Sequence, residues 1–137
     1  MIKIKIITIG KSKEAWLQEA LHEYEKRLTP VCSIEWMLAK NSVQLEEFCM
    51  REGKYIGLDP QGKSMASEKF SLWLTNFGSR LNFVIGGPDG LPPAVKAKAS
   101  FLWSLSPLTF THQLTRLILL EQLYRAHEIS RGSSYHK

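Results

Sequence analysis

Apolar and polar positions alternate at the start of the chain, where Ile2, Ile4 and Ile6 are separated by Lys3 and Lys5 before the segment turns apolar through Ile9. That period of two predicts a strand over 2–9 ending at Gly10. The period then changes. Trp16, Leu17, Ala20, Leu21, Tyr24 and Leu28 recur at steps of three and four, which predicts a helix over 13–28 with Ser12 as its cap and Pro30 as its stop. Val31–Leu38 reads as a second strand, Val43–Arg51 as a short helix, and Lys54–Asp59 as a third strand running into a Pro60-Gln-Gly62 turn. Ser64 or Ser67 starts a helix through Phe77, with Phe70, Trp73, Leu74 and Phe77 on one side. Leu81–Ile85 is a short apolar strand before the glycine-rich turn Gly86–Gly90. Pro92-Pro93 suits a first helical turn, so 92–100 reads as a helix, followed by a last strand at Leu102–Leu105, a loop at Ser106–Thr111 and a long helix over 112–130.

Strands alternating with helices predict an α/β fold with a mainly parallel sheet. No internal repeat or linker divides the chain, so residues 1–137 are expected to form one domain. In such sheets ligands bind outside the carboxyl ends of the strands. Three loops compete for that place: after Leu58-Asp59, at Gly86–Gly90, and at Leu105–Thr111. A parallel sheet brings all three to one edge.

Composition narrows the class. At 44% apolar and 23% charged, the 137 residues are enough to bury a core, and intrinsic disorder is excluded. No run approaches the roughly 18 apolar residues a membrane span needs, and no secretory signal is visible. Cys32 and Cys49 form neither a disulfide framework nor a metal spacing, so a reduced, cytoplasmic compartment is the expectation. Net charge is +5, but residues 92–137 carry six Lys or Arg against Glu121 and Glu128 alone. That surplus reads either as a solubility device or as an end of the molecule that faces a polyanion.

Gly86-Gly-Pro-Asp-Gly90 allows close backbone approach, yet it is no dinucleotide fingerprint, because Pro88 and Leu91 stand where glycines are needed. Ser104–Thr111 sets apolar side chains beside small hydroxyls on a proline-braced loop, which suits either a flat heterocycle or a plain strand-to-helix connection. His22, His112, His127 and His136 are scattered without ligand spacing, so no metal site is expected. The tail Arg131–Lys137 packs Tyr135 and His136 beside cations, a combination that suits stacking on an unpaired base as well as simple fraying. Helix 112–130 is apolar over more than one face, which favours contact with a second subunit.

Five ordered motifs then carry a resemblance over the whole chain. Val84-Ile-Gly-Gly-Pro-Asp-Gly-Leu91, Trp103-Ser-Leu-Ser106, Leu108-Thr-Phe-Thr-His112, Leu120-Glu-Gln-Leu-Tyr-Arg-Ala126 and Tyr135-His136 resemble the RlmH family of small SPOUT-class RNA methyltransferases. The chain departs from that pattern at Asp89, where many members carry Glu, and in the residues around its Tyr-His tail. The resemblance implies a SPOUT-type fold with a C-terminal trefoil knot and S-adenosylmethionine held bent in that knot. It implies cofactor contacts at Leu58, Gly86, Leu105, Ser106, Pro107, Leu108, Thr109 and Phe110. It also implies a homodimer that methylates N3 of a pseudouridine in helix 69 of bacterial 23S ribosomal RNA within the ribosome, with no DNA and no membrane as partner.

Methyl transfer from a sulfonium needs alignment more than acid or metal, since the leaving group is neutral. An imide nitrogen must still lose a proton. His136, with Tyr135 and Arg125 and acting across the dimer, is the candidate, with His112 as its rival. Two other readings stay open here: a ribose methyltransferase of transfer RNA, and a ribosome-binding module without chemistry.

Overall fold

The opening alternation builds the centre of the sheet. In the computed structural model, which describes residues 1–137, β1 spans Ile2–Ile9. Ile4 and Ile6 enter one apolar cluster and Ile7 another, so helices cover the strand on both faces. Lys3 stays exposed and Lys5 pairs with Glu52. The chain continues as α1 (Ala15–Leu28), β2 (Cys32–Ala39), α2 (Ser42–Glu52), β3 (Ile56–Ser64), α3 (Ser67–Thr75), β4 (Arg80–Ile85), α4 (Pro93–Lys98), β5 (Phe101–Ser104) and α5 (His112–Ser130).

All five strands are parallel, in the order β2-β1-β4-β3-β5. The last three strands of that order carry the three segments singled out above. Leu17 and Leu21 of α1, Phe70 and Leu74 of α3, and Leu119 and Leu123 of α5 join the cluster on one face. Leu45 and Cys49 of α2 and Val95 of α4 join the cluster on the other. Each such aliphatic or aromatic side chain removed from water stabilises the fold by about 1.5–3 kcal/mol. Phe70 also stacks on Trp103 with ring centroids 4.3 Å apart, tying α3 to β5.

Three local expectations are corrected. Pro60-Gln-Gly62 is not a turn, because β3 runs through it to Ser64. Its pairing with β5 shifts register between Leu58 and Lys63, both of which face Trp103. Such a bulge accommodates a proline that cannot donate to the ladder. Gly62 makes it possible, since a Cβ there would stand 2.6 Å from the Leu102 carbonyl carbon. Ser12 does not cap α1, which begins behind Glu14 without a side-chain cap; its hydroxyl is held by Arg116 instead, at 3.0 Å. Trp16 is not on the buried face, which runs through Leu17, Leu21 and Leu28; one residue is about 100° around a helix, enough to turn the indole outward. α5 is capped by Thr111, whose Oγ1 accepts from the Leu114 amide at 3.1 Å.

Burial raises the Cys32 thiol to about 11, and burial with the carboxylates of Glu46 and Glu52 raises that of Cys49 to about 12. Both are free and inert thiols. In a labelling experiment at pH 8 they are expected to react only as fast as the protein unfolds. A fast-reacting native thiol would show local opening instead.

Candidate functional site

One cleft of about 940 Å³ lies at the carboxyl edge of the sheet, and all three of the expected segments wall it, one of them as continuing strand rather than loop. Leu58, Asp59 and Pro60 line it from β3, Ile85 to Pro88 and Gly90 from the end of β4 and its loop, and Leu105, Ser106 and Leu108 to Thr111 from the β5–α5 loop. His112 to Thr115 add the first turn of α5, and Glu14 and Trp16 add the start of α1. Of the eight residues expected to contact a cofactor, seven line this cleft and Pro107 alone does not.

The walls are held from behind. Ser104 Oγ donates to the Ser106 carbonyl at 2.9 Å, and Ser106 Oγ accepts from the Leu108 amide at 3.0 Å, so a compact hydroxyl-braced turn carries Pro107. Leu108 projects outward, 69% exposed, an apolar side chain that the fold itself does not use. Gly86 is pressed against its own loop: a Cβ would stand 2.3 Å from the Gly90 carbonyl carbon. Asp59 accepts from the Gln61 amide at 2.9 Å and pairs with Lys96 at 2.8 Å. Burial pushes that carboxyl up, but the Lys96 and Gln61 hydrogen bonds outweigh it and hold the acid below its usual range. Burial, reinforced by Arg116 and Lys13, holds His112 below the usual histidine value, so it sits in the cleft neutral at pH 7.

The start of α1 is fixed to the start of α5. Arg116, 1% exposed, donates through Nη2 to the carbonyls of Ile9 and Gly10, both at 2.8 Å, and through Nη1 to Ser12. Gln113 accepts from the Lys13 amide at 3.3 Å and donates to the Lys11 carbonyl at 3.1 Å. Sequence reasoning missed both roles. Arg116 counted as part of a surface charge surplus, and its position among leucines was the one sign that it is buried.

Arg125, Tyr135 and His136 do meet, but elsewhere. Arg125 Nη1 lies 2.9 Å from His136 Nδ1 and its guanidinium stands 4.9 Å over the Tyr135 ring. Glu121 accepts from both Arg125, at 2.9 Å, and the Tyr135 hydroxyl, at 2.8 Å. His136 Nε2 faces Glu68 at 3.3 Å. Burial, then hydrogen bonding to Tyr24 and Glu121, raises the Tyr135 phenol, which therefore stays protonated. None of the three lines the cleft. Ten residues of α5 between Thr115 and Arg125 correspond to about 15 Å of helix, so the tail of a protomer lies well away from its own cleft.

The basic surplus of residues 92–137 is also reapportioned. Arg116 is buried, Arg125 pairs with Glu121, Arg131 with Glu128, and Lys96 with Asp59. Lys98 and Lys137 remain without a carboxylate partner, so this end is a poorer phosphate anchor than its charge count suggests.

Comparison with known proteins agrees with this geometry. The family model described as a predicted SPOUT methyltransferase matches residues 2–136. The ribosomal RNA large subunit methyltransferase H of Protochlamydia amoebophila (strain UWE25) is 50% identical over 141 residues, covering all of both chains. The protein of that name from Clostridium acetobutylicum is 38% identical over 159 residues, covering 99% of this chain and 100% of its own. The solved structure of a probable methylase family protein from Haemophilus influenzae Rd KW20 superposes with a TM-score of 0.63 over 98% of this chain and 70% of its own; at 10% identity it shares the fold alone. With a parallel sheet, loops gathered at its carboxyl edge and relatives aligned end to end, the chain belongs to the SPOUT methyltransferases, and within them to the ribosomal RNA large subunit methyltransferase H family.

Proposed function

We propose that the protein is an S-adenosylmethionine-dependent methyltransferase that acts as a homodimer on N3 of a pseudouridine in helix 69 of bacterial 23S ribosomal RNA. The assembled ribosome presents the target, which puts the enzyme in the cytoplasm. The observation that carries this reading is the cleft in which β3 and the loops after β4 and β5 bring Leu58, Gly86, Leu105, Ser106, Leu108, Thr109 and Phe110 together. Its apolar side chains set against the backbone of a polar loop suit a cofactor that is part flat heterocycle and part charged chain. Relatives named as large-subunit ribosomal RNA methyltransferases supply the substrate class. A trefoil knot through the Gly86–Gly90 and Leu105–Thr111 segments is part of the same reading.

When bound, the cofactor supplies a methyl group on a cationic sulfur. The chain's own residues have three tasks: to hold the target in line, to keep water out, and to take one proton from the imide. In the folded protomer the Arg125 guanidinium donates to His136 Nδ1, which leaves the neutral ring's proton on Nε2 facing Glu68. His136 is the base in this reading, released from those two contacts when the tail reaches the cleft of the other protomer. Arg125 then stabilises the negative charge that develops on the imide. The half-buried Leu114, Ile118 and Ile129 of α5 offer an apolar stripe for the dimer contact that brings tail and cleft together. His112 is the second candidate base, because it is neutral and already lines the cleft.

Calorimetric titration of S-adenosylmethionine into the protein, with mass measured by light scattering, is the first test. One cofactor site in a dimeric protein supports the reading; no binding counts against it. On ribosomes lacking the methyl group, His136→Ala is expected to lower the single-turnover rate by about 10²–10⁴-fold and His112→Ala by less than tenfold. The reverse pattern would transfer the role of base to His112.

A further inference from the structure

We infer that Trp16 is the platform on which the target base stacks beside the cofactor, an inference that rests on the methyl transfer proposed above. The indole is 56% exposed, whereas Trp103 is buried and Trp36 and Trp73 are half-buried. A single exposed aromatic is by itself unremarked on a protein surface. This one lines the cleft. It stands on the wall made by the start of α1, beside the first turn of α5, whereas the segments assigned to the cofactor form the other walls.

The segment that presents it is held on several sides. Arg116 grips the backbone at Ile9 and Gly10 and the Ser12 hydroxyl, Gln113 bridges the backbone of Lys11 and Lys13, and Gln18 Nε2 donates to the Ser12 carbonyl at 2.7 Å. Five polar contacts across about 100 residues of sequence thus set the entry to α1 against the first turn of α5. An aromatic side chain carried on so tightly tied a segment is pre-organised rather than merely exposed.

Space and chemistry point the same way. At about 940 Å³ the cleft is at the top of the range for small-molecule sites, roughly 300–1,000 Å³, and has room for a cofactor with a nucleobase beside it. Enzymes that modify a base take it out of its stack and read it against aromatic side chains, because every base has a π-face and the stacking lost has to be replaced. Three aromatic rings line the cleft: Phe110 sits in the cofactor loop, His112 offers only a small imidazole at the start of α5, and Trp16 supplies the one large indole face.

The test uses the full-length protein and ribosomes whose large-subunit RNA lacks the methyl group. Trp16→Leu keeps apolar bulk and removes the π-face, whereas Trp16→Phe keeps both. The leucine variant is expected to lose about tenfold to a hundredfold in kcat/KM for the ribosome, with cofactor affinity and dimer mass unchanged, and the phenylalanine variant is expected to recover most of that loss. Wild-type kinetics for Trp16→Leu would overturn the inference. So would weakened cofactor binding, which would place the indole in the cofactor wall, or dissociation into monomers, which would place it in the subunit contact. An unsubstituted protein that binds cofactor yet methylates no ribosomal RNA would overturn the proposed function and this inference with it.

Discussion

Gly86→Ala is expected to abolish cofactor binding and to lower stability by about 1–3 kcal/mol or more. The added Cβ would lie 2.3 Å from the Gly90 carbonyl carbon, 2.5 Å from its oxygen and 2.6 Å from the Leu91 nitrogen. All three are backbone atoms, so no side chain can rotate away. The loop is closed on itself by the Gly90 amide, which donates to the Gly87 carbonyl at 3.0 Å, and it is anchored by Leu91 in the apolar cluster under α4. Relief therefore has to come from displacing the loop or the Leu91 anchor, and overpacking of this kind costs about 1–3 kcal/mol or more. The displaced loop is a wall of the cleft, so function is lost along with stability. Gly87→Ala, itself in the cleft wall, is the internal control for stability alone: its Cβ would meet only Ile9, nearest at the Cδ1 methyl at 3.1 Å, the far end of a flexible side chain. Thermal unfolding and cofactor titration of the two variants side by side check this. Equal thermal stability of the pair would mean that the loop relaxes freely.

Arg116→Met is expected to destabilise the protein by about 2–6 kcal/mol, measured as a lowered urea midpoint. The buried guanidinium has no carboxylate partner, and burial lowers its pKa. Replacing a buried charge with an apolar side chain of similar volume is neutral or stabilising when nothing is left behind. Here two carbonyls at the end of β1, on Ile9 and Gly10, would lose their donor. Each unsatisfied buried acceptor costs about 1–3 kcal/mol, against a typical total of about 5–15 kcal/mol. Lysine is not expected to rescue, because one ammonium cannot reproduce a planar fork that reaches two carbonyls and a hydroxyl. A variant as stable as the wild type would show that water reaches those carbonyls. Since the same contacts hold Trp16 over the cleft, activity is expected to fall even where the fold survives.

Much of the architecture was legible because it is local. A period of two followed by isoleucines marked β1 and a long, largely apolar run after the Ser106–Thr111 loop marked α5, at boundaries that agree with the structure. The convergence of the Leu58-Asp59, Gly86–Gly90 and Leu105–Thr111 segments followed from strand–helix alternation, since parallel strands direct their carboxyl ends to one side, although the first proved to be continuing strand. Resemblance to a known family carried the family assignment, and the proposed chemistry, knot and site residues rest on it, since periodicity can supply none of them. The errors were of another kind. Pro60-Gln-Gly62 has the composition of a turn, but pairing with β5 carries the strand through it. Trp16 fits the apolar pattern of α1 and still faces the cleft. Arg116, Arg125, Arg131 and Lys96 counted as free positive charge, and each is buried or paired.

The amino-acid order by itself determined the elements, their alternation and the family, because those depend on neighbours a few residues apart. Only the tertiary structure decided which charges stay free, which aromatic side chain faces the cleft and how far the tail lies from it. Those outcomes depend on partners such as Ile9 and Arg116, 107 residues apart, whose meeting is encoded in no local pattern.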